Sequence, residues 1–279
     1  MNPPWLAAFF ALSAAAAWGS GDFTSGLASR RAGPFHTVLV SYSVGMVALA
    51  LVALVRQEPF PPASDLLWGA LAGISGMLGL GFLMRGFATG RMGIVAPISA
   101  VLAAAIPVLI SILTEGMPGG LQLLGFAVAL PGIWLLSRPE PGSGRPEGLA
   151  MALLAGVGFG VFFSALAQVG DGAVFWSLTA SRLVAVALML GFALASGRPL
   201  LPANLPLRLL SLAGLLDVGG NLLFLLATLS GRLDVAAVLA SLYPAVTTLL
   251  ARLVAGEHLA RVQVVGVAAA LLAIVLISV

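Results

Sequence analysis

The two halves of this 279-residue chain repeat one another at a nearly constant offset. Gly90 begins the segment GRMGIVAPISAVL, and Gly231 begins the related segment GRLDVAAVLASLY. A second pair at the same offset, GFAVALPGIWLLS (Gly125–Ser137) and GVAAALLAIVLIS (Gly266–Ser278), keeps Gly, Ala and Ser at matching places. Such a long repeat predicts two units built from the same series of structural elements.

Long apolar runs fill both copies. The chain is 60% hydrophobic and only 8% charged, whereas ordinary globular domains carry about 25% charged residues. A soluble core could not bury so much apolar surface, so we expect helices in a lipid bilayer, each of about 20 apolar residues. The runs are continuous rather than alternating, which favours helices over barrel strands. The ten predicted spans lie near residues 4–28, 34–55, 65–88, 93–113, 119–137, 147–168, 173–195, 208–230, 235–253 and 261–279.

Each copy holds an odd number of spans, so the second copy must insert upside down relative to the first. We expect one unit at residues 1–138 and another at 147–279, joined by a linker at 139–146 that is rich in Pro, Gly and charge. The predicted fold is an all-α polytopic membrane protein, with two inverted five-helix repeats around a central cavity. Inverted repeats of this kind are typical of transporters.

Several other classes of protein are disfavoured. The chain has no Cys, which excludes disulfides and thiolate metal sites. Its net charge is only +3, and its Arg residues lie singly or in pairs between apolar runs, which argues against nucleic-acid binding. The two His lie in unrelated loops and form no nucleophile–base pair or metal set, so we expect neither enzyme activity nor a cofactor. No basic region precedes the first apolar run, so we expect it to be retained as a span rather than cleaved as a signal peptide.

Gly and Pro interrupt corresponding spans of the two copies. The first and third spans and their partners, the sixth and eighth, are rich in Gly, and the fourth and ninth carry Pro. A single Gly more often permits close helix packing. Interruptions in corresponding spans of both halves, however, point to the binding site of a transporter. We therefore predict that spans 1, 3, 4, 6, 8 and 9 line the cavity.

Ionisable side chains inside predicted spans are costly and usually face the protein interior or a water-filled cavity. Asp217 lies in the eighth span with Asn221 one helical turn later, and Arg182 lies in the seventh. Two readings stay open. These side chains bind a polar group of a substrate or a coupling proton, or Arg182 and Asp217 form an internal ion pair that fixes helix packing. For Asp22, in the first span, we favour a packing or interface role.

Aromatic and sulfur-containing side chains on the same spans predict an apolar pocket for an aromatic or aliphatic side chain. Many such side chains serve instead as packing residues or interface anchors. The predicted substrate-binding or cavity residues are Trp18, Ser20, Met77, Leu80, Met84, Ser99, Phe159, Phe163, Arg182, Asp217, Asn221, Ser241 and Tyr243.

A few short motifs resemble a known family. The first span ends in AAAAWGSGDF, the fourth closes on Glu115, and the second copy carries LYP (Leu242–Pro244) and GE (Gly256–Glu257). In these features nearly the whole chain resembles the EamA-type repeats of the drug/metabolite transporter superfamily, and it is most similar to the YddG-type aromatic amino-acid exporters. The resemblance implies ten helices around a central cavity and alternating access without a covalent step. It also implies export of amino acids or related metabolites across a bacterial inner membrane.

The chain departs from this pattern in places. The first copy has SAVLAAAIP where the second has SLYP, and the loop between the second and third spans is nearly neutral. The resemblance places both termini in the cytoplasm, whereas the distribution of Arg between the two faces places them outside, so orientation stays open. The expected partners are a small-molecule substrate and the bilayer, with the chain as a monomer. Export of another class, such as nucleotide sugars or organic cations, and a non-transporting membrane scaffold remain the alternatives.

Overall fold

The computed structural model describes residues 4–114, 119–136, 148–166, 168–170, 172, 174–200, 204–230, 239–240 and 242–278. Within these ranges all regular secondary structure is α-helical. The helices are α1 (Pro4–Val55), α2 (Ala63–Thr89), α3 (Met92–Thr114), α4 (Gly120–Leu136), α5 (Leu149–Leu166), α6 (Val174–Ser196), α7 (Leu207–Ser230), α8 (Tyr243–Leu253) and α9 (Arg261–Ser278).

Helix α1 is a helical hairpin. A straight helix of 52 residues would be about 78 Å long, far more than the bilayer core of about 30 Å. Gly33 breaks the helix with φ 77° and ψ 159°. This left-handed φ suits glycine, and Pro34 follows it. The break falls in the segment RRAGP, which the sequence predicts to separate two spans. It divides α1 into a first arm (residues 4–32) and a second arm (residues 34–55).

Contacts with α7 show that the two arms run back along each other. A Cβ atom at Gly21 in the first arm would lie 3.6 Å from the carbonyl oxygen of Ala213. One at Gly45 in the second arm would lie 3.9 Å from the carbonyl oxygen of Gly214. Neighbouring residues of α7 thus touch both arms at equal distances along the chain from Gly33. Only a reversal of chain direction at Gly33 allows this.

The length and surface of the helices fit a membrane protein. Five helical stretches of the described residues are long and apolar enough to cross a bilayer, namely Leu6–Val55, Ala63–Thr89, Leu149–Leu166, Val174–Ser196 and Leu207–Ala227. Large apolar side chains also cover the outer surface; Leu194 is 75% exposed and Leu130 is 72% exposed. Such a surface is stable in contact with lipid. The prediction of an all-α polytopic membrane protein is thereby confirmed.

Helix packing follows the sequence repeat. Helix α7 packs on both arms of α1, while α2 packs on α5 and α6. A Cβ atom at Gly214 would lie 2.5 Å from the carbonyl oxygen of Ser41, and one at Gly73 would collide with that of Ser181. The offset that carries Gly90 onto Gly231 also carries Gly73 onto Gly214, and nearly the same offset carries Ser41 onto Ser181. The same close contact between a glycine and a carbonyl group therefore occurs twice between the two copies, and each copy supplies the glycine once and the carbonyl group once.

Candidate functional site

An ion pair with one buried partner joins α6 to α7. Nη2 of Arg182 lies 2.8 Å from Oδ2 of Asp217. The Arg182 side chain is 6% exposed, whereas that of Asp217 is 40% exposed. Asp217 lies near the middle of an apolar helix, where a charged side chain faces the protein interior or a water-filled cavity. Of the two readings that the sequence left open, the structure shows the ion pair, and it leaves the Asp217 carboxylate accessible.

Tyr42 covers the other side of the guanidinium group. Cζ of Arg182 lies 3.8 Å from the centre of the Tyr42 ring, and Tyr42 is 5% exposed. A cation at this distance from an aromatic face is attracted to it. Tyr42 is not among the site residues predicted from the sequence. The offset that relates Ser41 to Ser181 also relates Tyr42 to Arg182, and this was the available signal.

Aromatic side chains lie beside the ion pair. Nε1 of Trp18 donates a hydrogen bond to the carbonyl oxygen of Asp217, at 3.3 Å. The Trp18 ring centre is 5.7 Å from that of Phe224 and 6.5 Å from that of Tyr243. Gly220 leaves room for the indole, because a Cβ atom there would collide with it. Trp18, Phe224 and Tyr243 form what we call the aromatic wall.

Asp22 lies one helical turn after Trp18 on the first arm. The preceding residue, Gly21, is close to α7: a Cβ atom there would lie 3.7 Å from the backbone nitrogen of Asp217. Asp22 is near enough to Asp217 for the two carboxylates to repel each other. It is partly exposed, and its carboxylate makes no hydrogen bond or ion pair with any described residue. We call Asp22, Tyr42, Arg182 and Asp217 the polar site.

The structure brings some predicted site residues together and separates others. Trp18, Arg182, Asp217 and Tyr243 meet at the polar site and aromatic wall. Asn221 follows Asp217 by one turn of α7 and is partly exposed, as is Ser20 on the first arm. Ser241 lies outside the described residues.

Two predicted cavity residues are packed between helices instead. Met84 is 0% exposed and belongs to the largest hydrophobic core. Ser99 is 2% exposed, and its hydroxyl donates to the carbonyl oxygen of Ala96 at 2.9 Å. The carbonyl oxygen of Ser99 also lies 2.8 Å from the position of a Cβ atom at Gly156. Phe163 differs again, since it is 47% exposed and makes an edge contact with Phe162.

The remaining three predicted residues lie on or against α2. Leu80 and Phe159 are partly buried against the largest core, and Phe159 contacts the backbone of Gly79. Met77 lines an apolar groove of about 300 Å³ between the second arm, α2 and α6. Its lining residues are Pro34, Phe35, Val38, Met77, Gly81, Leu188, Met189 and Phe192. Because none of them carries a charged side chain, we place the candidate site at the polar site and not in this groove.

A second polar cluster links the two copies at one face of the helix bundle. Nη2 of Arg30 lies 2.7 Å from Oε1 of Glu257, and Nε of Arg30 donates to the carbonyl oxygen of Phe87 at 3.1 Å. The Glu257 carboxylate also accepts the backbone N–H groups of Met92 and Gly93, both at 3.1 Å. Glu257 therefore caps the start of α3 while it pairs with Arg30.

The chain is similar to known proteins in sequence and in fold. A family model described as "EamA-like transporter family" matches the chain twice, at residues 5–138 and at 146–279. An uncharacterized transporter of Helicobacter pylori (strain ATCC 700392 / 26695) is 38% identical over 70 residues, which are 23% of this chain and 24% of that protein. The match thus spans about a quarter of that relative's length. A protein crystal structure aligns with a TM-score of 0.62 at 18% identity, over 97% of this chain and 95% of the other, which shows a shared fold.

Proposed function

We propose, because this chain belongs to the EamA-like transporter family, that it exports small metabolites, above all neutral and aromatic amino acids, across a bacterial inner membrane. Family membership implies a multi-pass membrane transporter of small molecules. The substrate, the direction of transport and the membrane are the proposed part. The observation that carries the substrate class is the Arg182–Asp217 pair beside an aromatic wall.

The proposed architecture is ten helices in two inverted five-helix units, residues 1–138 and 147–279. Two features support it. The family model matches each half separately, and equivalent contacts occur at Gly73 with Ser181 and at Gly214 with Ser41. Transport then proceeds by rocking of the two units about a central site that faces each side in turn. Tyr42 and Arg182 occupy equivalent positions in the two copies and also contact each other. Contact between equivalent residues is expected near the axis that relates the two units.

The proposed site can bind a neutral amino acid in a simple way. Such a substrate carries an ammonium group, a carboxylate and an apolar side chain. The polar site offers two carboxyl groups to the ammonium group, and the aromatic wall offers an apolar surface. A pocket that relies on apolar contact separates homologues by only about 1–3 kcal/mol per methylene. We therefore expect broad specificity among neutral amino acids. Ser20, Asn221 and Ser241 stay candidates for further polar contacts.

Closure of one face is the other requirement of alternating access. The Arg30–Glu257 pair joins the proposed first unit to the second at a single face. The offset that relates Gly19 to Gly156 puts Ala167 at the position of Arg30. The second copy cannot supply the same pair on the opposite face. We propose that Arg30 and Glu257 stabilise the state in which their face is closed.

Flux measurements in proteoliposomes test the function. The purified protein is reconstituted, and uptake of radiolabelled phenylalanine, leucine, a nucleotide sugar and a quaternary organic cation is compared with that of protein-free liposomes. The proposal predicts uptake of both amino acids and mutual competition between them. Uptake of the nucleotide sugar or the quaternary cation without uptake of any neutral amino acid would contradict it.

A further inference from the structure

The polar site holds two carboxyl groups, those of Asp22 and Asp217, and the single guanidinium group of Arg182. Among the described residues, Arg182 supplies the cationic side chain of the polar site. Its Nη2 already pairs with Oδ2 of Asp217 at 2.8 Å. Asp22 adds a second carboxylate, which interacts electrostatically with Asp217 and has no hydrogen bond or ion pair with any described residue. A carboxylate removed from bulk water without a partner is costly. Ionisable groups kept inside membrane spans usually serve transport.

Arg182 is poorly placed to bind a substrate carboxylate. Its side chain is 6% exposed, the Tyr42 ring covers one face of the guanidinium group, and Nη2 is bonded to Asp217. Its Nε is buried without an acceptor among the described residues. A substrate carboxylate would have to displace Asp217 to reach Nη2. The accessible charged groups at the polar site are instead carboxylates, because Asp22 is partly exposed and the Asp217 side chain is 40% exposed.

The aromatic wall, like the two carboxyl groups, favours a positively charged ligand. Trp18 precedes Asp22 by one helical turn, and its ring meets Tyr243 edge to face at 6.5 Å. Aromatic faces attract ammonium groups, and the attraction is stronger where water is excluded. A carboxylate beside aromatic rings has the chemistry of a site for an alkylammonium group.

We propose that Asp22 binds the protonated amine of the transported molecule beside Trp18 and Tyr243, and that the carboxylate of an amino acid contributes little to recognition. This inference rests on the proposed function. It narrows the substrate class to amines with an apolar body, which includes neutral amino acids, their amides and their esters. N-acylated amino acids fall outside the class because they have lost the ammonium charge.

Competition with matched analogues tests the proposal. Uptake of radiolabelled phenylalanine into proteoliposomes is measured against unlabelled phenylalanine, phenylalanine amide and N-acetylphenylalanine. The amide keeps the amine without a carboxylate, and the N-acetyl compound keeps the carboxylate without a charged amine. A hydrogen bond to a charged group corresponds to about a 10- to 100-fold difference in affinity. We expect the inhibition constant of the amide to lie within about threefold of that of phenylalanine. N-acetylphenylalanine should compete at least about tenfold more weakly than phenylalanine. Equal competition by the two analogues would overturn the proposal.

Variants at position 22 identify the residue responsible. The asparagine in Asp22→Asn is isosteric with a protonated carboxyl group. This variant should bind phenylalanine and its amide at least about tenfold more weakly than the wild type. It should also abolish the discrimination against N-acetylphenylalanine. Asp22→Glu should restore part of the discrimination. Thr24→Val is the matched control, because it removes a polar group from the same arm, one that bonds only within the helix. Unchanged affinity and discrimination in Asp22→Asn would show that Asp22 does not bind the amine.

Failure of the inference can be told apart from failure of the function. If phenylalanine is not transported at all, the proposed function is wrong, whatever the role of Asp22. Calorimetric titration of the purified full chain with phenylalanine amide then tests the inference directly. Binding by the wild type that is lost in Asp22→Asn, with equal thermal stability, supports it. Binding by both proteins with equal affinity overturns it.

Discussion

The region around Asp217 and the region around Gly76 hold equivalent positions in the two copies of the repeat. The close contacts nearby are alike, since Gly214 meets the backbone of Ser41 just as Gly73 meets that of Ser181. The chemistry differs. Asp217 pairs with Arg182, whereas a Cβ atom at Gly76 would lie 2.9 Å from the ring of Phe162. Contacts between a glycine and a backbone carbonyl group give both regions the same shape. The region around Asp217 differs because it carries the Arg182–Asp217 pair.

Asp22 extends the contrast to the first arm. The offset that relates Gly19 to Gly156 places Phe159 opposite Asp22, and Phe159 packs against Gly79 in the largest core. Each charged member of the polar site thus has an uncharged equivalent in the other copy: Phe159 for Asp22, Gly76 for Asp217 and Tyr42 for Arg182. Each pair of equivalent positions therefore carries a charge on one member only, and the charged members are Asp22 from the first copy and Arg182 and Asp217 from the second.

The largest expected loss of stability comes from removing the carboxylate that pairs with Arg182. Asp217→Ala leaves the Arg182 guanidinium buried without a partner, and breaking a buried pair in this way costs about 3–5 kcal/mol. Arg182→Ala should cost less, because the Asp217 side chain that it leaves without a partner is 40% exposed rather than buried. Thermal unfolding of both variants in detergent checks this order. The double variant Arg182→Met/Asp217→Leu should recover most of the stability and still lose transport; the reverse order of the single variants would contradict the account.

A smaller effect is expected at the glycine contacts that the two regions share. Gly73→Ala and Gly214→Ala place a methyl group against a carbonyl oxygen of a neighbouring helix, and overpacking of this kind costs about 1–3 kcal/mol. The matched controls are Gly81→Ala in α2 and Gly219→Ala in α7, which would meet no atom within 4 Å. These should stabilise the helices slightly, by about 0.5–1 kcal/mol. Equal melting temperatures for the test and control variants would argue against the packing equivalence.

The smallest effect on stability is expected at the face that carries Arg30. The Arg30 side chain is 34% exposed and that of Glu257 is 9% exposed. Removal of Arg30 leaves Glu257 with its two backbone N–H donors, so we expect a cost close to that of an exposed pair, about 0–1 kcal/mol. Arg30→Ala should therefore barely change the melting temperature. It should nevertheless speed thiol labelling of a cysteine at Ser29, which is 2% exposed, because that face opens more often. Arg31→Ala is the neighbouring control. Equal labelling rates in the Arg30→Ala and Arg31→Ala proteins would show that Arg30 does not help to close this face.

The sequence predicted features that depend on local pattern. The segment RRAGP predicted the break that the structure places at Gly33, and two ionisable residues in apolar spans suggested the Arg182–Asp217 pair. Features that depend on which helix faces meet were not accessible. Met84 and Ser99 lie on predicted cavity spans but pack between helices, and the contact of Tyr42 with Arg182 requires the crossing of the second arm and α6.

Substrate protection of two equivalent positions tests the central claim most directly. Asn221 and Leu80 correspond to each other in the repeat, and both are partly exposed. The natural chain has no Cys, so Asn221→Cys and Leu80→Cys can each be labelled without background. The account predicts that phenylalanine slows labelling at position 221 and leaves position 80 unchanged. Equal protection at both positions, or protection at position 80 alone, would contradict the assignment of the substrate site to the charged region.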